Sequence, residues 1–440
     1  MMQDPAPRNS ATRRGLTRRG MLRTAVAAGV AAVPVAFGTA PAFASATGTP
    51  DSYLTLPPAT DQVTRFRLRV PDAALADLRY RLARARYPEQ ELVNDWSQGA
   101  PVSKVRQLAD YWQHEYDWRR LENELNGLGQ FRTEIDGLGV HFLHIRSRHA
   151  TATPLLLTHG WPGSIIEFLG AVGPLTDPTA HGGTVADAFH LVIPSIPGFG
   201  FSDRPTEVGW NTARIAKVWA ALMDRLGYHG YLAQGGDWGG GITTQLGKLR
   251  PAALLGVHLN FPEYVFSPPL EGEPTPAEQN ALAQINEFFA YGSGYHREQS
   301  TRPQTIGYPL IDSPVGQAAW IYEKFGEWTD SGYDPEALLG LDAMLDDISL
   351  YWFTGTAASS ARIYWEDYSA TAAPLTTLDL PVGVSVFPKE IVRTPRIWAE
   401  RAYRDLVYFN DQIPKGGHFA AFEQPILFTE EVRAFARQLH

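Results

Sequence analysis

Six residues near the middle of the chain, Gly235-Gly236-Asp237-Trp238-Gly239-Gly240, pair a carboxylate with the backbone freedom needed to display it. Just before them, Gly230-Tyr231-Leu232-Ala233-Gln234 reads as a short strand. Just after them, Ile242 to Leu249 reads as a helix that Arg250-Pro251 ends, because proline disfavours its continuation. A side chain at Gly235 or Gly239 would collide with a sharp strand-to-helix turn, so small residues on both sides of a polar centre give the layout of a nucleophile elbow. Asp237 is the side chain so displayed, and a carboxylate there can attack carbon and form an ester. A glycine-rich loop with an incidental aspartate has the same composition, so partners elsewhere must decide between the two.

Two other stretches supply such partners. His159-Gly160-Trp161-Pro162-Gly163-Ser164 follows the apolar run Pro154 to Thr158, where a loop can aim the Trp161 backbone N–H at the elbow. Together with the N–H of Trp238 it makes a two-donor oxyanion hole. His418, in Gly416-Gly417-His418-Phe419-Ala420-Ala421-Phe422-Glu423, comes after the last expected strand. An acid is then expected after the strand before that one, Val382 to Phe387, and Glu390 stands there. Asp379 lies at the wrong end of that strand, and Asn260, after an earlier one, is not an acid. The chain order is nucleophile, acid, histidine, as in a hydrolase triad built on this kind of turn.

These residues need a frame. From Asp61 to about Leu128 the sequence reads as helical, with Leu75, Leu78 and Leu82 sharing one face of Asp72–Tyr87, and Val102, Val105, Ala109 and Trp112 one face of Val102–Tyr116. Alternating or continuous apolar runs follow at Val140–Ile145, Pro154–Thr158, His190–Pro194, Gly230–Gln234, Leu254–Leu259, Val382–Phe387 and Asp405–Phe409. Between them lie the segment Ile165 to Leu175 and the amphipathic stretch Arg214 to Leu226. Apolar strands alternating with helices predict an α/β fold with a mostly parallel sheet covered on both faces. Residues 262–374 interrupt it with a proline-rich link and helices expected near Pro276–Phe289, Pro314–Phe325 and Asp334–Tyr351. Inserted where the strands end, this segment is expected to be a helical lid above the elbow. The expected organisation is a leader over 1–44, a linker over 45–60, an N-terminal helical domain over 61–130, and an α/β core over 131–261 and 375–440 split by that lid.

Composition narrows the class. A formal charge of −9, with no clustered basic face beyond the leader, argues against a nucleic-acid partner. With no cysteine, disulfides, thiolate metal sites and cysteine nucleophiles are excluded. The leader carries Thr17-Arg18-Arg19-Gly20-Met21-Leu22-Arg23, an apolar run from Ala25 to Phe37, and Ala42-Phe43-Ala44. It reads as a twin-arginine export signal cut after Ala44, giving an exported protein, periplasmic or extracellular, with no stable membrane insertion after cleavage. A retained anchor is the other reading, but the run is alanine-rich, broken by Pro34 and short for a span.

From about Asp61 onward the chain resembles the microsomal-type epoxide hydrolases, including the juvenile-hormone type, of the α/β-hydrolase fold. The N-terminal helices, the His159–Ser164 loop, the Gly235–Gly240 elbow, Phe387–Glu390 and Gly416–Glu423 carry the resemblance. Two lid stretches extend it: Gly292-Ser293-Gly294-Tyr295, and Tyr351-Trp352-Phe353-Thr354-Gly355-Thr356 running on to Arg362-Ile363-Tyr364. The resemblance implies that Tyr295 and Tyr364 are the phenols that activate the epoxide oxygen. Membrane-bound relatives carry a hydrophobic anchor at the N-terminus, where this chain has its leader, so a membrane location does not carry over.

The implied reaction turns a small apolar epoxide and water into a vicinal diol with no metal and no cofactor. Asp237 forms an alkyl ester, Tyr295 and Tyr364 hold the emerging alkoxide, and His418, oriented by Glu390, activates the water that cleaves the ester. A haloalkane or haloacid dehalogenase would use the same aspartyl ester, with indole N–H donors such as that of Trp238 around a leaving halide. A non-catalytic binder on this fold would keep the pocket but lack a triad member, and none is missing here.

Overall fold

The computed structural model describes residues 53–369 and 377–439. The leader expected over 1–44 lies outside them, as do residues 45–52 of the linker and 370–374 of the inserted segment.

The N-terminal region begins extended, not helical. Strand β1 (Thr64–Arg65) pairs antiparallel with Phe131 and Arg132, so the first residues of the expected helical domain join the sheet. Helices α1 (Asp72–Leu82), α2 (Val102–His114) and α3 (Trp118–Leu128) follow. The α1 helix stops short of Tyr87, the residue that Pro88 biases toward an extended backbone. Its buried face is Ala74, Leu78 and Leu82, and Leu75 is only partly covered. The α3 helix closes on Gly129, at φ +87, and leads straight into the sheet.

The first half of the core comprises β2 (Gln130–Ile135), β3 (Leu138–Ile145), β4 (Thr153–Thr158), α4 (Leu169–Thr176), β5 (Phe189–Pro194), α5 (Thr212–Arg225), β6 (Tyr231–Gly235), α6 (Asp237–Leu249) and β7 (Leu254–Leu259). The β5 strand is buried at every position, as a strand covered on both faces should be. The α6 helix starts at Asp237 itself, five residues earlier than apolar spacing suggests, because its first turn is glycine packed against neighbouring backbone. Arg250 caps it in the left-handed region, at φ +49, and its N–H bonds to the Leu246 carbonyl.

The inserted segment contains α7 (Pro276–Glu287), α8 (Gly294–Thr301), α9 (Pro303–Asp312), α10 (Pro314–Trp328), α11 (Pro335–Leu339), α12 (Leu341–Thr354) and α13 (Ala357–Ser369). Three of these, α8, α9 and α13, were not expected. Glycine, serine, threonine and proline blur their apolar period, and tertiary packing of α13 on α8 and α9 fixes them. The helix expected over Asp334–Tyr351 is broken at Gly340, at φ +81.

The chain then returns to the sheet as β8 (Val382–Ser385), α14 (Arg396–Ala402), β9 (Leu406–Asn410), α15 (Ala420–Glu423) and α16 (Pro425–Ala436). Among the described residues the strands form one sheet in the order β1-β2-β3-β5-β4-β6-β7-β8-β9. Pairing is parallel from β5 through β9 and antiparallel among β1, β2, β3 and β5. Because β4 and β6 are neighbours with Thr158 opposite Gly235, the loops that leave their ends meet. The N-terminal helices brace the insertion. Trp112 Nε1 donates to Ser349 Oγ at 2.8 Å, and Tyr116 and Arg120 both bond to Asp346 on α12. No described helix is long and apolar enough to cross a membrane.

Candidate active site

The turn between β6 and α6 is as tight as its glycines suggest. A Cβ at Gly235 would lie 2.1 Å from the Gly239 carbonyl oxygen, and one at Gly239 would lie 2.0 Å from that of Thr158. Asp237 sits between them at φ +50, a region that costs a non-glycine residue about 1–3 kcal/mol and persists only where packing enforces it. Its side chain is thereby turned toward the loop after β4. There Gly160 leaves the room it needs, since a Cβ at Gly160 would fall 2.3 Å from Asp237 Oδ1.

Trp161 N–H donates to Asp237 Oδ1 at 2.8 Å. The Trp238 amide belongs to the first turn of α6, where a helix leaves its N–H groups without intrahelical acceptors, and the positive end of the helix dipole lies at the carboxylate. His159 holds the loop in place. Its Nε2 accepts from Ile196 N–H at 3.2 Å, so Nδ1 carries the proton and donates to the Gly160 carbonyl at 3.0 Å. Burial lowers its pKa to about 4, which keeps it neutral. Ser164 Oγ of the loop donates to Asp347 Oδ1 of the insertion, and Tyr351 of the insertion donates to the Gly163 carbonyl, which ties α12 to the same loop.

His418 and Glu390 meet because the loops after β8 and β9 pair through a bridge between Lys389 and Gly417. His418 Nδ1 donates to Glu390 Oε1 at 2.6 Å, which assigns the proton to Nδ1. On the other side, His418 Nε2 lies 3.3 Å from Asp237 Oδ2 but forms no hydrogen bond of good geometry. Burial alone would depress the imidazole. The Glu390 charge, followed by the contact with Asp237, outweighs burial and holds its pKa well above the usual value. Neutralising Asp237 as an ester removes one of those two anions, so the imidazolium becomes a stronger acid, readier to release its proton and be left as the neutral base.

Glu423, which sequence reasoning passed over, fixes the histidine loop. Its carboxylate accepts from the N–H groups of Gly417, Phe419 and Asp330 at 2.8–3.0 Å. Burial raises it to about 7 in spite of those three bonds. In the sequence it is only an acid five residues after the histidine; its burial, which marks it, belongs to the structure. Trp328 was also missed. Its carbonyl accepts from His418 N–H at 2.9 Å, and its ring lies edge-on to His418 and to Tyr295.

The two lid phenols sit together over Trp161 and Trp238. Tyr295 on α8 stacks on the Trp161 ring, with centroids 5.0 Å apart and planes at 7°. Tyr364 on α13 stands edge-to-face to Trp238 at 4.7 Å and to Tyr295 at 5.8 Å. Burial and then the Asp237 charge push the Tyr295 phenol well up; burial, the neighbouring Tyr295 and then Asp237 do the same for Tyr364. Both therefore keep their protons and remain donors. The Tyr364 hydroxyl is buried without a hydrogen-bond partner among the described residues. All seven residues expected at the site, Asp237, His418, Glu390, Tyr295, Tyr364, Trp161 and Trp238, thus lie in one place.

Comparison with known proteins bears on the family and the fold. A family profile described as "Epoxide hydrolase N terminus" matches residues 63–168, and one described as "alpha/beta hydrolase fold" matches residues 153–297. A relative from Stigmatella aurantiaca (strain DW4/3-1), provisionally named an epoxide hydrolase, is 60% identical over 378 residues, 86% of this chain and 85% of that protein. Epoxide hydrolase 1 of Oryctolagus cuniculus is 34% identical over 85% of this chain and 89% of its own length.

The chain belongs to the epoxide hydrolase family.

The solved structure of Aspergillus niger epoxide hydrolase superposes with a TM-score of 0.76 at 33% identity, covering 88% of this chain and 100% of that one. The α/β-hydrolase fold expected from the sequence is therefore the fold of this epoxide hydrolase family member.

Proposed function

We propose that this chain hydrolyses apolar epoxides to vicinal diols through an ester on Asp237. The observation that carries the reading is the division of labour at one carboxylate. Oδ1 accepts from the Trp161 amide, which leaves Oδ2, on the His418 side, as the attacking atom. Two protonated phenols from the insertion stand over the same loops.

Asp237 Oδ2 attacks a ring carbon from the face opposite the breaking C–O bond, and the ring oxygen leaves as an alkoxide that takes a proton from Tyr295 or Tyr364. The phenolate is made good by the proton of His418, which the esterified Asp237 no longer holds by charge. Neutral His418 then removes a proton from water as the water oxygen bonds to the ester carbon. The Trp161 and Trp238 amides receive the oxyanion. Collapse of the intermediate expels the diol, which leaves with a proton from the new carboxyl. Glu390 keeps the imidazole oriented and stabilises its charged form.

Residues 262–374 act as the lid in this reading, and their aromatic lining favours apolar substrates. The test is direct. Purified protein beginning at Ser45 should convert styrene-type, aliphatic or terpenoid epoxides to diols, and Asp237→Ala should not. Absence of diol from all three classes, or halide release from chloroalkanes in its place, would sink the reading.

We also propose export by the twin-arginine route, from Arg18-Arg19 and Ala42-Phe43-Ala44. Protein recovered outside the cytoplasm should begin near Ser45, and the Arg18→Lys, Arg19→Lys double variant should stay inside. Export of that variant would count against it.

A further inference from the structure

A cavity of about 20 Å³ opens beside Asp237. It has room for one water, whose minimum is about 10–15 Å³, and none for an epoxide. Asp237, His418, Gly160, Asn260, Ala420 and Glu167 are among its walls, and neither Tyr295 nor Tyr364 borders it. The cavity therefore reaches the nucleophile from the sheet side, away from the phenols that would hold a substrate. A water needs two to four polar partners to occupy such a space. His418 Nε2 is one, since it is buried and has no well-formed hydrogen bond.

Glu167 is the wall residue that the mechanism above leaves unused. It lies within the turn Ile165–Phe168, and its carboxyl folds back over Gly163, where a Cβ would fall 1.4 Å from Oε1. Only glycine at 163 permits that placement. The residue is partly buried and lines the cavity.

We propose that Glu167 is a positioning residue for ester hydrolysis: its carboxyl oxygen accepts one hydrogen of the water in this cavity, His418 Nε2 accepts the other, and the water's lone pair is left facing the Asp237 ester carbon. The inference rests on the ester mechanism proposed above. In the step itself, the water O–H bond to His418 breaks and its proton moves to Nε2. The water oxygen bonds to the ester carbon, and the carbonyl electron pair moves onto Oδ1 at the Trp161 amide. The hydrogen held by Glu167 stays on the water oxygen. Burial, and then the charge of Asp347, pushes the Glu167 carboxyl well above the usual range. A neutral carboxyl still offers a C=O acceptor and adds no second negative charge beside the forming oxyanion.

The simpler role for Glu167 is a structural one. Ser164 and Glu167 have the spacing of a capping box at the start of a helical turn, and the Ser164 N–H is near the carboxyl. A cap would hold the Trp161 loop for both chemical steps alike, whereas a water-positioning group acts on the second step alone.

Single-turnover experiments separate the two roles. Rapid mixing with a styrene-type epoxide gives the alkylation rate from tryptophan quenching, and quenched-flow mass spectrometry gives the decay of the Asp237 adduct. Glu167→Leu should alkylate within about twofold of the parent but lose its adduct at least about tenfold more slowly, the effect of one missing hydrogen bond. Glu167→Gln keeps a carbonyl acceptor and should decay within about threefold of the parent. Glu167→Asp withdraws the carboxyl by one methylene with little risk to folding, and should decay slowly like the leucine variant. Parent-rate decay in Glu167→Asp or Glu167→Leu, or alkylation slowed as much as decay, would overturn the assignment. A parent enzyme that forms no adduct would instead remove the ester mechanism beneath it.

Discussion

The Trp161 amide donates to Asp237 Oδ1 at 2.8 Å, joining two loops that lie 76 residues apart in the chain. That single bond requires three close approaches of backbone, at Gly160, Gly235 and Gly239.

The first prediction follows from those approaches. Gly239→Ala places a methyl 2.0 Å from the Thr158 carbonyl oxygen, a contact that only movement of the elbow or of β4 can relieve. It should cost about 1–3 kcal/mol of stability and more than about a hundredfold in activity. Gly127→Ala, in α3 with nothing near its Cβ position, should be neutral or stabilise by about 0.4–1 kcal/mol. Thermal denaturation and diol formation measured on both variants check this. An active, stable Gly239→Ala enzyme would contradict the turn as described.

A second prediction concerns the phenols. If the phenols act as proposed, Tyr295→Phe and Tyr364→Phe each remove a donor to the epoxide oxygen, which should slow alkylation about 10²–10³-fold, with the other phenol sustaining what remains. Among the described residues the Tyr364 hydroxyl makes no hydrogen bond of good geometry, so its loss should leave thermal stability nearly unchanged. The double variant should nearly abolish alkylation. Tryptophan quenching in a single turnover is the measurement, and a Phe/Phe enzyme that alkylates at the parent rate would remove both tyrosines from the mechanism.

A third prediction is a matter of proton linkage. Burial raises Asp347 from an ordinary 3.8 to about 8, despite the hydrogen bond from Ser164. The folded state thus holds this proton more tightly than the unfolded chain, and stability is lost as pH rises from about 4 to about 8. Asp347→Asn keeps an acceptor for Ser164 without titrating. Its Tm should therefore fall by a few degrees less than the parent's between pH 5 and pH 8. Parallel curves for the two proteins would refute the shift.

Much of this site was legible before any coordinates. Asp237, His418 and Glu390 each follow a strand, and a parallel sheet gathers strand ends at one edge, so their meeting follows from topology. The oxyanion loop was legible for the same reason, as β4 and β6 are neighbours. The helices that carry the phenols were not. Gly294–Thr301 and Ala357–Ser369 lack an apolar period, and packing of α13 on α8 fixes them. Tyr295 and Tyr364 entered only through resemblance. Glu423 and Glu167 were illegible as well, because a buried acid becomes conspicuous only once its surroundings are known. The extended start at Thr64–Arg65 was misread as helix, since a two-residue edge strand has no periodicity to detect.

The ester on Asp237 is the claim on which all else depends, and one measurement reaches it. Alkylation needs Asp237 and the phenols, whereas hydrolysis of the ester needs His418 as base. His418→Gln, mixed with a styrene-type epoxide and examined by intact-mass spectrometry, should gain the mass of one substrate and retain it. Peptide mapping should place that mass on Asp237, and Asp237→Ala should gain nothing. A His418→Gln enzyme that turns over at the parent rate, or that carries no added mass, would contradict the account.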